Sequence, residues 1–402
     1  MTTPLSRGLV ALFACASGLS VANVYYAQPL LDALAHDFLI PRAAIGGVVL
    51  ATQIGSALAL VLLVPLGDLW DRRRLMLVQA LLLAAVLIGI GCATSPVALL
   101  AGMLGAGLLG TAMTQGLIAY AASAAGPDER GRVVGAAQSG VFVGLLLARV
   151  LSGGISDLAG WRAVYASSAT AMMVLAVLLW RALPALPIAS GNLGYPRLLA
   201  SMVELLRTER VLRVRGVLAM LMFAALNIFW SALVLPLSGP PYGYSHTAIG
   251  AFGLVGALGA LAAARAGRWA DRGLGERTTA IALALLIAAW VPLALMGVSL
   301  WALLLGIVLL DLGAQAIHVT NQSMIFTRRP DAHSRMVGVY MLFYAVGSGL
   351  GAMATTSVYA VRGWPGVCVL GASVSLLALI VWMTTLERGT ARVRTTCNLH
   401  GG

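Results

Sequence analysis

The chain has 402 residues, of which 60% are hydrophobic, and its formal net charge is +12. A water-soluble fold could not bury so large an apolar share, so the composition indicates a protein solvated by a lipid bilayer. The basic residues are all arginines and stand in short segments between apolar runs, which favours a membrane protein over a nucleic-acid-binding one.

The apolar runs predict twelve transmembrane helices, since one span needs about 20 mainly apolar residues. Six runs lie near 8–30, 43–66, 75–94, 97–121, 133–156 and 162–183. Six more lie near 213–237, 246–266, 278–298, 300–322, 336–359 and 364–386. The fold class is therefore an all-α membrane protein of two pseudo-symmetric six-helix bundles. Its predicted domains are an N-terminal bundle at 1–183, a connector at 184–212, a C-terminal bundle at 213–386 and a tail at 387–402.

The arginines predict the orientation. With the N-terminus inside, the cytoplasmic segments hold most of them, including the connector through Arg215. The opposite face holds only Arg42, Arg162 and Arg362. The positive-inside rule therefore places both termini in the cytoplasm. Within the connector, Leu198–Arg210 is either an amphipathic helix on the inner membrane surface or part of a flexible linker.

The two halves repeat each other. Gly67–Arg74 between apolar runs has an imperfect echo in Gly267–Gly273. Gly144 aligns with Gly347, and Ala44-Ile45-Gly46 aligns with Ala248-Ile249-Gly250, at offsets of about 200 residues. Parallel halves with a substrate held between them are a plan of secondary transporters.

These residues resemble the major facilitator superfamily over nearly the whole chain. The family's loop after its second helix has the pattern G-x-x-x-D-R-x-G-R-[RK], and Gly67, Asp68, Asp71 and Arg72 match it, although no second glycine follows Arg72. The resemblance implies a cytoplasmic gate in which Asp68 lies against the start of helix eleven, near Arg335. The predicted gate comprises Gly67, Asp68, Asp71, Arg72, Arg132, Asp271, Arg272 and Arg335.

Helix five indicates the branch of the family. The drug:proton antiporters carry G-x8-G-x3-G-P-x2-G-G there, and this chain keeps the spacing but has Ala148-Arg149 in place of Gly-Pro. The chain thus resembles the twelve-helix drug and metabolite exporters. Arg149 itself is expected to serve structure or gating, the alternatives being contact with an anionic substrate, pairing with Asp32, or snorkelling outward.

Helix ten carries the only acid deep inside an apolar run, Asp311. Counted from Leu300 it lies about 16 Å into the membrane, where an ionisable group needs a partner, a proton or a water-filled cavity. Gln315 and His318 follow on the same helical face. Asp311 and His318 are therefore the proton-coupling candidates, although Asp311 as a structural hydrogen-bonding group and His318 as an ordinary packed histidine stay open.

The first helix of each half carries an amide next to aromatic residues. Such groups suit an amphiphilic ligand if they face the cavity, or belong to the aromatic belt if they face the membrane interface. Together with helix four and helix ten they supply the predicted substrate-cavity residues Asn23, Tyr26, Thr111, Gln115, Asn227, Trp230 and Gln315.

The predicted function is proton-coupled efflux of a small organic molecule across a bacterial-type inner membrane by alternating access. The chain has no phosphate loop, Gly-x-Ser-x-Gly or His-Glu-x-x-His motif, so no enzyme, metal or cofactor is predicted. The expected partners are a small-molecule substrate, protons and the lipid bilayer, with no nucleic acid, and a monomer suffices. The alternatives are an importer or uniporter of the same fold, or a non-transporting membrane receptor.

Overall fold

The computed structural model describes residues 5–126, 128–184, 194–326 and 333–399. Almost all of this described part is helical, and it contains no strand. The helices of the first half are α1 (Arg7–Tyr25), α2 (Leu31–Asp37), α3 (Gly46–Leu58), α4 (Arg72–Gly91), α5 (Pro96–Ala124), α6 (Arg130–Ala159) and α7 (Trp161–Ala182). Two irregular turns, Ala59–Leu63 and Val64–Asp68, extend α3 to the loop that precedes α4.

The connector forms α8 (Tyr195–Thr208), and the second half follows it. Its helices are α9 (Arg210–Ala232), α10 (Val234–Leu237), α11 (His246–Val255), α12 (Ala257–Trp269), α13 (Gly275–Ala288), α14 (Trp290–Ala294), α15 (Leu300–Phe326) and α16 (His333–Leu399).

These helices supply twelve membrane crossings. Ten segments of the described chain are long and apolar enough to span, and the last of them, Arg335–Leu386, runs for 52 residues. The backbone of this segment reverses at Gly363, where φ is 60°, so it crosses twice. Helices α11 and α12 together make the remaining crossing. We call the end of the bundle at which Arg7 and Arg72 lie the inner end and the other the outer end.

The two halves pack their repeated glycines in the same way. A Cβ atom at Gly144 of α6 would lie 2.6 Å from the carbonyl carbon of Gly18 on α1. A Cβ at Gly347 of α16 would lie 2.8 Å from the carbonyl carbon of Met220 on α9. Real Cβ atoms do not approach a backbone this closely, so each glycine allows two helices of its own half to touch. The repeat therefore reflects equivalent helix contacts.

The repeated Ala-Ile-Gly motifs lie where the two halves meet at the outer end. A Cβ at Gly46 of α3 would lie 2.9 Å from the carbonyl carbon of Ala352 on α16. A Cβ at Gly250 of α11 would lie 2.7 Å from the carbonyl carbon of Arg149 on α6. Each motif glycine thus brings one half against the backbone of the other, and the two contacts are related by the internal repeat.

Polar contacts also join the two halves at the outer end. The Asp157 carboxylate at the outer end of α6 accepts hydrogen bonds from the backbone N–H groups of His246 (3.0 Å) and Thr247 (2.8 Å), which begin α11. The His246 ring bonds Asp157 through Nδ1 (3.0 Å) and Asp32 through Nε2 (2.9 Å). Only the imidazolium donates from both ring nitrogens at once. Two acids of the first half therefore bind one histidine of the second.

The connector helix α8 lies across the inner end and contacts both halves. Its Tyr195 hydroxyl donates to the carbonyl of Leu62 at 2.9 Å, while Met202 and Leu205 are buried in a cluster with Met336 and Tyr340 of α16. Of the two interpretations of this stretch, the helix is the one observed for Tyr195–Thr208.

Arg215, which the positive-inside pattern counts at the end of the connector, is buried. Its side chain is only 3% exposed, inside α9, and pairs with Glu276 of α13. It also donates to Thr279 at 2.8 Å, and its backbone carbonyl accepts from Asn321 at 3.2 Å. The acid on the neighbouring helix neutralises the guanidinium and so allows it to be buried. Sequence spacing does not identify this acid as the partner of Arg215.

Candidate functional site

A cavity of about 90 Å³ lies between the two halves. Helices α1, α6, α9, α11, α12, α15 and α16 contribute its walls, which are largely apolar. Its polar and aromatic lining includes Tyr25, Gln28, Arg149, Asn227, Trp230, Asp311, Gln315 and Tyr344. Opposite charges thus reach one cavity from opposite halves, Arg149 from α6 and Asp311 from α15.

Arg149 is held in place from two sides. Its Nε and Nη2 both donate to the Gln28 side-chain oxygen, at 3.1 and 3.0 Å. The Gln28 amide nitrogen donates in turn to Asn227 at 3.1 Å, across the boundary between the halves. The guanidinium also lies 4.2 Å from the centroid of the Trp230 ring, a cation–π geometry. Only 6% of Arg149 is exposed, so it does not snorkel outward, and Asp32 bonds the His246 ring.

Asp311 is buried beside Trp230, and 7% of it is exposed. It interacts electrostatically with Trp230 and with Arg149. Trp230 is therefore the neighbour of both charged groups, and its ring face lies over the arginine. One turn along α15, the Gln315 side-chain oxygen is buried and has no hydrogen-bond partner within the described part of the chain.

The helix opposite Asp311 is discontinuous. The chain leaves α-helical hydrogen bonding at Gly256, whose N–H donates to the carbonyl of Gly253 only three residues earlier, at 3.2 Å. A Cβ at Gly256 would lie 3.3 Å from the carboxyl carbon of Asp311, so the small residue makes room for the carboxylate. Interrupted helices of this kind are tolerated at membrane depth where they line a cavity.

Aromatic rings form the remaining wall. The hydroxyls of Tyr25 on α1 and Tyr344 on α16 share a hydrogen bond between the halves. The ring of Phe223 lies 4.4 Å from that of Tyr344, edge to face. Since one surface of the cavity is aromatic and the other carries the two charges, it can hold a ligand with both characters.

Several predicted cavity residues lie elsewhere. Asn23 is buried between α1 and α7, where it accepts from Ser168 at 2.8 Å, and Tyr26 interacts with the same serine. Thr111 donates to Ser56 of α3 at 2.8 Å. Each of these three therefore has a structural contact outside the central cavity.

The candidates on α9 and α15 divide in the same way. His318 packs against Tyr340, with its Nδ1 3.0 Å from the tyrosine hydroxyl, and it does not line the central cavity. The predicted residues that do line it are Asp311, Asn227, Trp230 and Gln315.

A second cavity lies at the inner end, between α3, α4 and α5 on one side and α8 and α16 on the other. It brings together Gly67, Arg72 and Arg335 from the predicted gate with Gln115 and Gln79. Arg72 donates to the carbonyl of Gly67 at 2.7 Å. The predicted gate and the predicted cavity residue Gln115 thus share one inner cavity.

The other gate residues have separate positions. Asp71 caps α4, accepting from the N–H of Arg73 at 2.9 Å. Arg132 pairs with Glu129 at 2.7 Å, and hydrogen bonds from the Leu5 backbone and from Arg132 lower the pKa of the Glu129 carboxyl. Arg272 is exposed, and the side chains of Asp68 and Asp271 lie outside the described residues.

Among the polar residues that line the cavity, Tyr25, Gln28 and Tyr344 were not predicted. Tyr25 and Gln28 stand in the aromatic and amide run that singled out Tyr26, so a signal for them existed. The sequence does not give the rotation of α1 about its axis. In the structure this rotation turns Tyr25 toward the cavity and Tyr26 toward α7.

Comparisons with known proteins agree with this architecture. The family model described as Major Facilitator Superfamily matches residues 12–272 and 216–396. Uncharacterized transporter YgaY of Escherichia coli O157:H7 is 40% identical over 396 residues, covering 97% of this chain and 100% of the relative. Probable transporter SCO4007 of Streptomyces coelicolor is 30% identical over 391 residues, covering 95% and 88%.

Solved structures share the fold. A bacterial homologue of the human lysosomal transporter Spinster, in an inward-facing and occupied conformation, has a TM-score of 0.79 at 14% identity and covers 96% of this chain and 98% of its own. The nucleoside transporter NupG has a TM-score of 0.74 at 13% identity and covers 95% and 100%. The predicted twelve-helix fold, and the prediction that the chain is not an enzyme, are confirmed. The chain is a membrane transporter and belongs to the major facilitator superfamily.

Proposed function

We propose that this transporter exports a small organic molecule across a bacterial-type inner membrane in exchange for protons, with Asp311 as the proton-carrying group. The observation that carries the proposal is the position of Asp311, buried in the cavity between the halves and opposite a broken helix. An ionised carboxylate at the bilayer centre costs about 2.5–3.5 kcal/mol on insertion scales. Each step of a transport cycle must therefore match that carboxylate with a cationic group or a proton.

Competition for one carboxyl couples the two fluxes. A cationic group of the substrate and a proton cannot both occupy Asp311, so release of one accompanies binding of the other. Arg149, whose field acts on Asp311, opposes uptake of a second cation and sharpens this exchange. His318 is the weaker candidate for the relay, because its ring packs on Tyr340 and Phe223 away from the central cavity.

Alternating access supplies the movement. In this proposal the bundles at 1–183 and 213–386 rock about the central cavity, joined by the connector at 184–212. The outer contacts of Asp157 with His246 are present in this structure, and they would break when the outer end opens. Gly67, Arg72 and Arg335 around the inner cavity would serve as the inner gate, with both termini in the cytoplasm and a monomer as the working unit.

The test starts with a ligand panel on the purified protein, read by thermal shift. A compound that binds is then followed in proteoliposomes by counterflow and by an internal pH dye. Asp311→Asn should retain counterflow at saturating substrate, which needs no gradient, and lose accumulation driven by a pH gradient. The matched control is Asp37→Asn, which alters a carboxylate at the outer surface paired with Arg162.

Three results would contradict parts of the proposal. Full, pH-dependent accumulation by Asp311→Asn would remove Asp311 from coupling. Wild-type exchange without proton movement would indicate a uniporter, and accumulation in the opposite direction would indicate an importer.

A further inference from the structure

We propose that the central cavity selects zwitterions, molecules that carry a carboxylate, an ammonium group and a planar apolar part. The proposal names the substrate class of the site and so rests on the proposed function. It follows from three features of the cavity: a buried cation with free donors, a buried acid with a free acceptor beside it, and an aromatic wall.

The cationic side of the site has unused donors. A guanidinium carries five N–H groups in a fixed fork, and Arg149 uses two of them on Gln28. Within the described part of the chain Arg149 has no other hydrogen-bond acceptor. The Trp230 ring covers only one face of the guanidinium group. The remaining N–H groups lie at the edge of the guanidinium, where a carboxylate binds in the plane through two parallel hydrogen bonds.

The acidic side has the complementary groups. Trp230 is the polar neighbour of the Asp311 carboxylate, and an ionised carboxylate can accept about four hydrogen bonds. The buried Gln315 oxygen stands one helical turn away, with no partner among the described residues. An ammonium group has three donors and no acceptor, so it satisfies both oxygens at once.

Charge balance argues for both groups on one ligand. Arg149 and Asp311 attract each other across the cavity, yet no ion pair shorter than 4 Å joins these two described residues. A ligand with a single charge would pair with one of them and add a net charge to a buried site, which is costly in low dielectric. A zwitterion pairs with both and leaves the site neutral.

The apolar part of the ligand has a wall to lie against. The rings of Tyr25, Phe223 and Tyr344 line the cavity beside the charges. Since Arg149 belongs to the first half and Asp311 to the second, a zwitterion between them would also join the two halves. The bound ligand would then contact both bundles, as a rocking mechanism requires.

Three indole compounds that differ only in charge test the proposal. L-Tryptophan carries both groups, tryptamine only the ammonium, and indole-3-propionate only the carboxylate. Isothermal titration calorimetry on the purified full chain in detergent should find tryptophan at least about tenfold tighter than either analogue, the scale of one hydrogen bond to a charged group.

Two variants separate the two charges. Arg149→Gln should lower tryptophan affinity to that of tryptamine, and Asp311→Asn should lower it to that of indole-3-propionate. The control Arg162→Gln changes an arginine at the outer surface and should keep the wild-type order of affinities. Arg149→Lys keeps the charge without the planar fork, and should retain part of the preference if Arg149→Gln does not fold.

Equal affinity for tryptophan and one of the analogues would overturn the proposal in favour of a singly charged substrate. Failure of all three compounds to bind would overturn it as well. Binding is measured independently of transport. A zwitterion that binds without moving protons would therefore contradict the coupling mechanism but not the proposed substrate class. Proton-coupled flux of a singly charged compound would contradict the substrate class but not the coupling mechanism.

Discussion

The Asp157 contact at the outer end allows a quantitative prediction about the balance between closed and open states. This carboxylate accepts from the backbone N–H groups of His246 at 3.0 Å and Thr247 at 2.8 Å. It also accepts from the Thr247 hydroxyl at 2.6 Å and bonds the His246 ring at 3.0 Å. All four donors belong to the second half, so every one of these bonds is lost when the outer ends separate.

Asp157→Asn replaces one acceptor oxygen with an NH2 group and removes the charge. Two of the four hydrogen bonds then have no acceptor, and the other two become neutral. Hydrogen bonds to charged groups contribute about 1.5–3 kcal/mol each when buried. Because 24% of the Asp157 side chain is exposed, we discount the sum to about 2 kcal/mol, or roughly a thirtyfold shift toward the outer-open state.

Double electron–electron resonance measures that shift. Spin labels at Val97 and Val298, which are 76% and 85% exposed at the outer end, report the distance between the halves. The native cysteines would be changed to serine. Asp157→Asn should increase the population at longer distance, and Asp37→Asn, whose partner Arg162 lies in the same half, should not. An unchanged distance distribution for Asp157→Asn would refute the reasoning.

Two further predictions concern packing and a buried charge. Gly250→Ala places a Cβ 2.7 Å from a backbone carbon of α6, so it should favour the outer-open state in the same assay. Gly47→Ala, whose Cβ would have no neighbour within 4 Å, is the control and should not. Equal effects of the two variants would contradict the importance of the Gly250 contact. Glu276→Gln leaves Arg215 buried without its acid, and should lower stability by about 1–3 kcal/mol, since Glu276 is 45% exposed. Thermal unfolding in detergent measures this loss, and the exposed Glu204→Gln is the control; no difference between the two would show that the pair is unimportant.

The candidate site is only partly predictable from sequence. Asp311 stands out because a lone acid in an apolar run is conspicuous without any knowledge of its neighbours. Arg149 is noticeable for the same reason, but no distance between the two can be obtained from the sequence, and the interpretation of Arg149 as structural depends on its place in helix five alone. Gln28 stands in the aromatic and amide run at the end of α1, but its role depends on its contact with Arg149, which sequence spacing does not give.

The amino-acid sequence by itself determined the number of crossings, the internal repeat and the family, because span length, apolar runs and loop motifs are local properties of the chain. Only the tertiary structure decided which side of each helix meets the cavity. The spans are apolar on all sides, since lipid and protein interior are equally apolar, so no amphipathic pattern marks the buried face. Close packing at glycines such as Gly144 and Gly250 sets those rotations, and through them it brings Arg149, Trp230 and Asp311 together in one cavity.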